Sequence, residues 1–470
     1  MDHAQAGVFA MRAGGRSGLA LALLSIVVGA GLALDRAEPR PRAALPQQAA
    51  SSGAWFCPHG GGPGWETALY VANPGEAAVQ VRVTPLAQRH PGSPQSYSVD
   101  PGTALRIPVP SGDAAASSFL EYFGGWVAAG WVTDAGGEQS GVAAEPCASE
   151  PGVRWLAPDG STQRGQDADV VVMNPFDVDA VIDVAVFSER PAPIRDSSFT
   201  NIRVPPHRSM ILRLTRVSLD EPAAAAEVLA RTGRVAVASL GISSDVGIRS
   251  VVGVTAPADR ALLAGTGDVG QSTLVVMAPG EAETRFGATL LSGEKPQAAG
   301  GLTEVTQGGQ SARAYPTITQ DPSLVDVRVE QGTAPIAAVR RTEGQNGDPG
   351  ATAGAAAPAA AWVIPPTVAG DPSHPGMVLG NPGTAQVEVR LSLLGEAGIL
   401  DEIVVSVPAT SAVRVPARFL EQDPTAAVLA VAAAGSFVAA GASSSLGLEG
   451  VASYAVAAGI PVPPGVLAGT

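Results

Sequence analysis

Residues 66–75 read ETALYVANPG, an apolar run that stops at Asn73-Pro74. The same ending occurs at Asn174-Pro175 and Asn381-Pro382, with a degenerate form at Ala278-Pro279, at spacings of 101, 104 and 103 residues. Proline has no N–H for a β-ladder and forces its predecessor into an extended shape, so it ends the strand before it. Asn side chains satisfy the backbone of the turn that follows. A period near one hundred residues is too long for a solenoid turn or a propeller blade. It means one folding unit copied four times.

Other landmarks keep the same order. Val99, Val204, Val305 and Val407 follow the respective Asn or Ala by 26, 30, 27 and 26 residues. A glycine before an apolar run recurs at Gly125, Gly233, Gly332 and Gly435. Three copies open with Trp-x-x-Pro, at Trp55–Pro58, Trp155–Pro158 and Trp362–Pro365, whereas the third reads LLAGTGD there.

Within the first copy, short apolar runs (ETALYVAN, AVQVRVTPL, QSYSVD, TALRIPV, SFLEYF, WVAAGWVTD, GVAAEPC) alternate with Gly, Pro, Asp and Ser clusters. Such runs, with partial period-2 alternation, are strands, and about seven of them per hundred residues predict an immunoglobulin-like β-sandwich. The fold class expected is all-β: four tandem immunoglobulin-like β-sandwich repeats preceded by one N-terminal transmembrane or signal-anchor helix. Helical turns are expected only in 221–231 (EPAAAAEVLAR) and 418–423.

The landmarks place a cytoplasmic N-terminus at 1–17, an apolar anchor or signal peptide at 18–34 and a spacer at 35–53. The sandwiches follow at 54–150, 151–257, 258–342 and 361–470. Residues 343–360 (EGQNGDPGATAGAAAPAA) are low in complexity and predict a flexible linker. The other joints are short, so the first three sandwiches are expected to form a semi-rigid rod.

Residues 19–34 (LALALLSIVVGAGLAL) are continuously apolar and preceded by Arg12 and Arg16, which fits a signal peptide or a short membrane anchor. Either puts the repeats outside the cytoplasm. The two cysteines, Cys57 and Cys147, bracket the first copy, and in an exported chain they predict one disulfide. A metal site at Cys57 and His59 lacks neighbouring ligands. The net charge is −14 with a single lysine, Lys295, which argues against nucleic acid because phosphate neutralisation needs clustered basic residues.

Catalytic motifs are absent or misplaced. Gly265–Gly270 spells GxGxxG, but STLVVMAP follows it, a strand rather than the helix a dinucleotide loop requires. Ser292–Lys295 spells S-x-x-K in a Gly- and Pro-rich loop, without K-T-G or S-D-N. No G-x-S-x-G or H-E-x-x-H occurs, and the five His residues are scattered. No catalytic, cofactor-binding or metal residue is therefore assigned, and no cofactor is expected.

Four of the six Trp residues lie in the first copy. The parity of its strands cannot place every ring in one core, so Trp65, Tyr122, Trp126 and Trp131 form a candidate exposed binding patch for glycan or protein.

The opening Trp-Phe-Cys-Pro (55–58), the strand ending ALYVANPG (68–75) and the N-terminal apolar run resemble a family of exported actinobacterial cell-envelope proteins known only as a domain of unknown function. The resemblance implies location and architecture and carries no catalytic residue; Ala278 departs from its pattern. The functional expectation is a non-catalytic, extracytoplasmic scaffold or adhesion-type module, membrane-held through the N-terminal helix, with an envelope glycan or protein as partner. The alternative is a carbohydrate-binding accessory protein acting through the aromatic-rich first copy.

Overall fold

In the strand β3 (Val79–Leu86), Val79, Val81 and Val83 are buried while Gln80 and Arg82 face solvent, the alternation a half-wet sheet demands. Arg82 meets Glu121 directly across the ladder at 2.6 Å. The computed structural model that shows this describes residues 52–467 apart from 244–246, 266–270, 293–294, 319–321, 345–348, 369–371 and 447–451. The apolar run 19–34 and most of the spacer lie outside the described residues, as do parts of the GxGxxG and S-x-x-K stretches. Among the described residues no helix is long and apolar enough to cross a membrane.

The chain is all-β. In the first copy the strands are β1 (Ser52–Cys57), β2 (Glu66–Asn73), β3, β4 (Gln95–Val99), β5 (Thr103–Val109), β6 (Ser117–Phe123), β7 (Ala128–Ala135) and β8 (Gly141–Pro146). They form two antiparallel sheets in the orders β1-β6-β3-β4 and β5-β2-β7-β8. Trp55, Val81 and Leu120 of one sheet bury against Leu69, Ile107 and Trp131 of the other. The other three copies repeat both orders, with one extra short strand on an edge of the third and of the fourth. An immunoglobulin domain sets its first strand beside its second. Here the first strand flanks the sixth, and the last hairpin flanks the second.

The landmarks act as repeated locks. Trp55, Trp155 and Trp362 each donate their indole N–H at 2.7 Å to a backbone carbonyl, of Val127, Val235 and Phe437 respectively. Asn73 Nδ2 donates to Ala77 O and Val99 O while its Oδ1 accepts from Gly75 N. Asn174 and Asn381 repeat that set. In the third copy, Ala278 leaves no amide, and Gln307 stands where the others carry Val99, Val204 and Val407. Its Nε2 donates to Val276 O and Ser311 O, so the amide arrives from the opposite strand.

The four sandwiches close into a ring, which corrects the expected rod. The closing strands of the copies, Gly141–Pro146, Gly247–Val252, Pro349–Ala353 and Ala452–Ala458, pack side by side around one centre, the fourth against the first. Small residues make this approach feasible: a Cβ on Gly141 would lie 2.8 Å from Gly247 Cα, and one on Gly350 would strike Val456 at 2.6 Å. Each joint also buries apolar surface, as where Ala68, Tyr70 and Val132 of the first copy meet Ala455 and Ala457 of the fourth.

Two further expectations are corrected. Residues 343–360, expected as a linker, contain the strand Pro349–Ala353, which pairs with Ala337–Glu343 and closes the third copy. Its Gly, Thr and Ala content is that of a strand packed where larger side chains have no room. Residues 221–231, expected to form a helical turn, instead enter the strand Ala225–Thr232. Helix propensity of the Ala run is outweighed by burial of Ala223 to Ala226 between sheets. The turn expected at 418–423 is the short helix Ala417–Leu420.

Candidate functional site

Cys57 ends β1 and Cys147 follows β8, and the two form a disulfide with Cα atoms 4.6 Å apart. Around it lie the aromatic residues proposed as an exposed patch, and here the expectation is corrected. Trp65, Tyr122 and Trp126 are each 6 % exposed and Trp131 is fully buried. Tyr122, Trp126 and Trp131 all join the first sandwich's own core, and Trp65, which precedes β2, is covered where the second copy packs on the first. Trp65 packs against Val171, Leu240 and Ile248 of the second copy. Trp126 meets Trp55 edge to face at a centroid distance of 6.1 Å.

Those last two rings do reach open space. Trp55 and Trp126 line a cavity of about 870 Å³ at the seam of the first and fourth copies. Its other walls are Cys147, Ile460 and the run Pro461–Gly465, so the surface is mainly apolar. The cavity lies where no covalent link joins consecutive copies.

A second cavity, of about 370 Å³, lies between the second and third copies and is polar. Its lining includes Arg249, from the closing strand of the second copy, and Arg341, from the strand Ala337–Glu343 of the third. Both guanidinia bind one buried carboxylate. Asp159 Oδ2 accepts from Arg249 Nε at 2.8 Å, and Oδ1 from Arg341 Nε at 2.6 Å. Arg341 also donates to Pro222 O and Gly160 O. Burial alone would raise the Asp159 pKa, but the two guanidinium charges and their hydrogen bonds outweigh it and hold the value at about 2. Sequence reasoning missed this cluster. Its signal was present as lone arginines in the otherwise apolar stretches GIRSVV and AAVRRT.

Asp326 of the third copy, 4 % exposed, likewise holds two arginines, Arg260 and Arg328, each at 2.8 Å. Arg340 is buried with Leu263 O, Ser323 O and Ser323 Oγ as its acceptors. His59 Nδ1 donates to Gly60 O at 2.7 Å, so neutral His59 accepts from the Ser118 hydroxyl at Nε2, 3.1 Å away. Burial lowers its pKa to about 4. This Ser–His pair has the spacing of a nucleophile and its base, yet both residues are buried in the first sandwich, beyond reach of a substrate. Burial pushes Asp169 up to about 7 against the partial pull of Arg213. Glu145, which accepts from Val252 N, is raised well above the usual carboxylate range, first by burial. Among the described residues no three His, Cys, Asp or Glu side chains converge as metal ligands.

Comparison with known proteins bears on this architecture. Residues 121–361 match the family of unknown function DUF5719. The chain belongs to that family. The DUF5719 match starts within β6 of the first copy and ends at the first strand of the fourth, so it spans the polar joint of Asp159, Arg249 and Arg341. No curated protein matches the chain. A solved structure titled as a tetra-tandem repeat in the extending region of a large adhesion protein aligns at 11 % identity over 83 % of this chain and 92 % of that one. Its TM-score is 0.10, so it carries no argument about the fold.

Proposed function

We propose that this chain is a non-catalytic, extracytoplasmic cell-envelope protein, held at the membrane by its N-terminal apolar run. It would serve there as a rigid interaction scaffold, an exported envelope protein of the actinobacterial kind its sequence resembles. The observation that carries the reading is the Cys57–Cys147 disulfide, which ties the first strand of the ring to the end of the first copy. Such bonds persist in oxidising compartments, and the apolar run 19–34 supplies a route to one. The ring adds a mechanical argument, since a body whose four units brace one another presents its outer sheet faces in fixed relation. Membrane-impermeant thiol labelling of intact cells tests this. Labelling only after reduction, from outside the cell, is the expected result; free thiols reached only after lysis would refute it.

The second reading, a carbohydrate-binding accessory protein, is favoured by one observation: Trp55 and Trp126 of the first copy line the seam cavity. Stacking of sugar rings on these indoles would quench tryptophan fluorescence on titration with envelope oligosaccharides. Unchanged binding in Trp126→Ala would sink it.

A further inference from the structure

We infer that the cavity between the second and third sandwiches binds a small ligand bearing an oxyanion on a polyhydroxylated body of monosaccharide size. The site does not depend on the envelope reading above.

The repeat itself supplies the first argument. Strand register equates Arg341 with Val132, Leu240 and Ala442 in the other copies, and Arg249 with Ala143, Gly350 and Ala455. The ring therefore closes at its other joints with small or apolar residues at both places. Of the four joints, only this one carries arginine at these two register positions.

Charge supplies the second argument. Arg249 is 4 % exposed and Asp159 2 %, and two guanidinia share that one carboxylate. An ion pair would need one of them. The surplus positive charge is costly to bury without a counter-ion, and a planar guanidinium suits carboxylate, phosphate or sulfate oxygens. The exposed Glu343 also lines the cavity.

The walls and size supply the third. Gln163, Gln166 and Thr273 line the space and offer both donors and acceptors to hydroxyl groups. The volume lies at the low end of the ~300–1,000 Å³ usual for ligand sites, which suits a sugar acid or sugar phosphate, free or at the end of a glycan.

Isothermal titration of the full-length protein in detergent micelles tests the inference with D-glucuronate, glucose 6-phosphate, a glucuronate-terminated oligosaccharide and neutral glucose. Both anionic monosaccharides are expected to bind at least about tenfold more tightly than glucose, a difference of about 1.4 kcal/mol. Equal or tighter binding of the oligosaccharide would identify a glycan end as the source, and its exclusion a free sugar. Gln163 is exposed and Gln166 half-buried, so Gln163→Ala/Gln166→Ala keeps the fold; it is expected to weaken both sugar anions about tenfold with an unchanged melting temperature. Glucose binding as tightly as glucuronate, no heat from either anion up to ~10 mM, or full affinity in the double variant would overturn the inference.

Discussion

Asp159 of the second sandwich accepts a 2.6 Å hydrogen bond from Arg341 of the third, and the same carboxylate holds Arg249 from the opposite side. The joint between two folding units thus rests on one buried anion between the buried Arg249 and the largely buried Arg341. Asp159→Asn leaves both guanidinia without a counter-charge and is expected to cost about 3–5 kcal/mol in urea-melt stability. Arg341→Leu, which installs the residue found at the equivalent Leu240, keeps the Asp159–Arg249 pair and should cost much less. Equal losses in the two variants would contradict the account.

The same carboxylate fixes a pH dependence. Its folded pKa of about 2 lies below the ordinary 3.8, so the folded state favours the ionised form. Its contribution is fully present above about pH 4 and is lost as pH falls toward 2, amounting to about 2 kcal/mol. Subtracting the acid limb of Asp159→Asn from that of the unaltered chain should isolate this term. A difference that stays flat between pH 4 and 2 would count against it.

The amide exchange in the third copy can be swapped back. Gln307→Ala should orphan the Val276 and Ser311 carbonyls and cost about 1–3 kcal/mol, as Asn73→Ala should for those of Ala77 and Val99. Ala278→Asn together with Gln307→Val restores the arrangement of the other copies, so denaturant midpoints should show the pair recovering most of the loss of Gln307→Ala. A double variant no better than Gln307→Ala would mean the amide does not act as described.

Reduction of Cys57–Cys147 opens a 90-residue loop. In the chain-entropy picture this costs about 4–5 kcal/mol, so the melting temperature should drop on adding reductant. The Cys57→Ser/Cys147→Ser variant should melt at that lower temperature with or without reductant.

Much of this was legible in the chain. Asn73, Asn174 and Asn381 announced the copies because each must satisfy the same turn, and the tryptophans announced them because each indole needs the same carbonyl. Cys57 and Cys147 were readable as partners because they bracket one unit. Ring closure was not legible, for a physical reason. The surfaces that meet at the centre are built of Gly141, Ala143, Gly247, Ala351 and Ala455, small residues chosen for close approach. In sequence, such residues have the composition of a linker, which is how Pro349–Ala353 escaped notice. The same closure hides Trp65, whose exposure was argued from a single sheet's parity. The joint at Asp159 was hidden because its partners lie 90 and 182 residues away.

The central claim is that four sandwiches close on themselves, with the fourth seated on the first. Small-angle X-ray scattering of the chain from Gln48 onward measures this directly. A closed body of that length should give a radius of gyration of about 22 Å, whereas four sandwiches strung end to end would give roughly 40 Å. The smaller value is expected, and the larger one would contradict the ring.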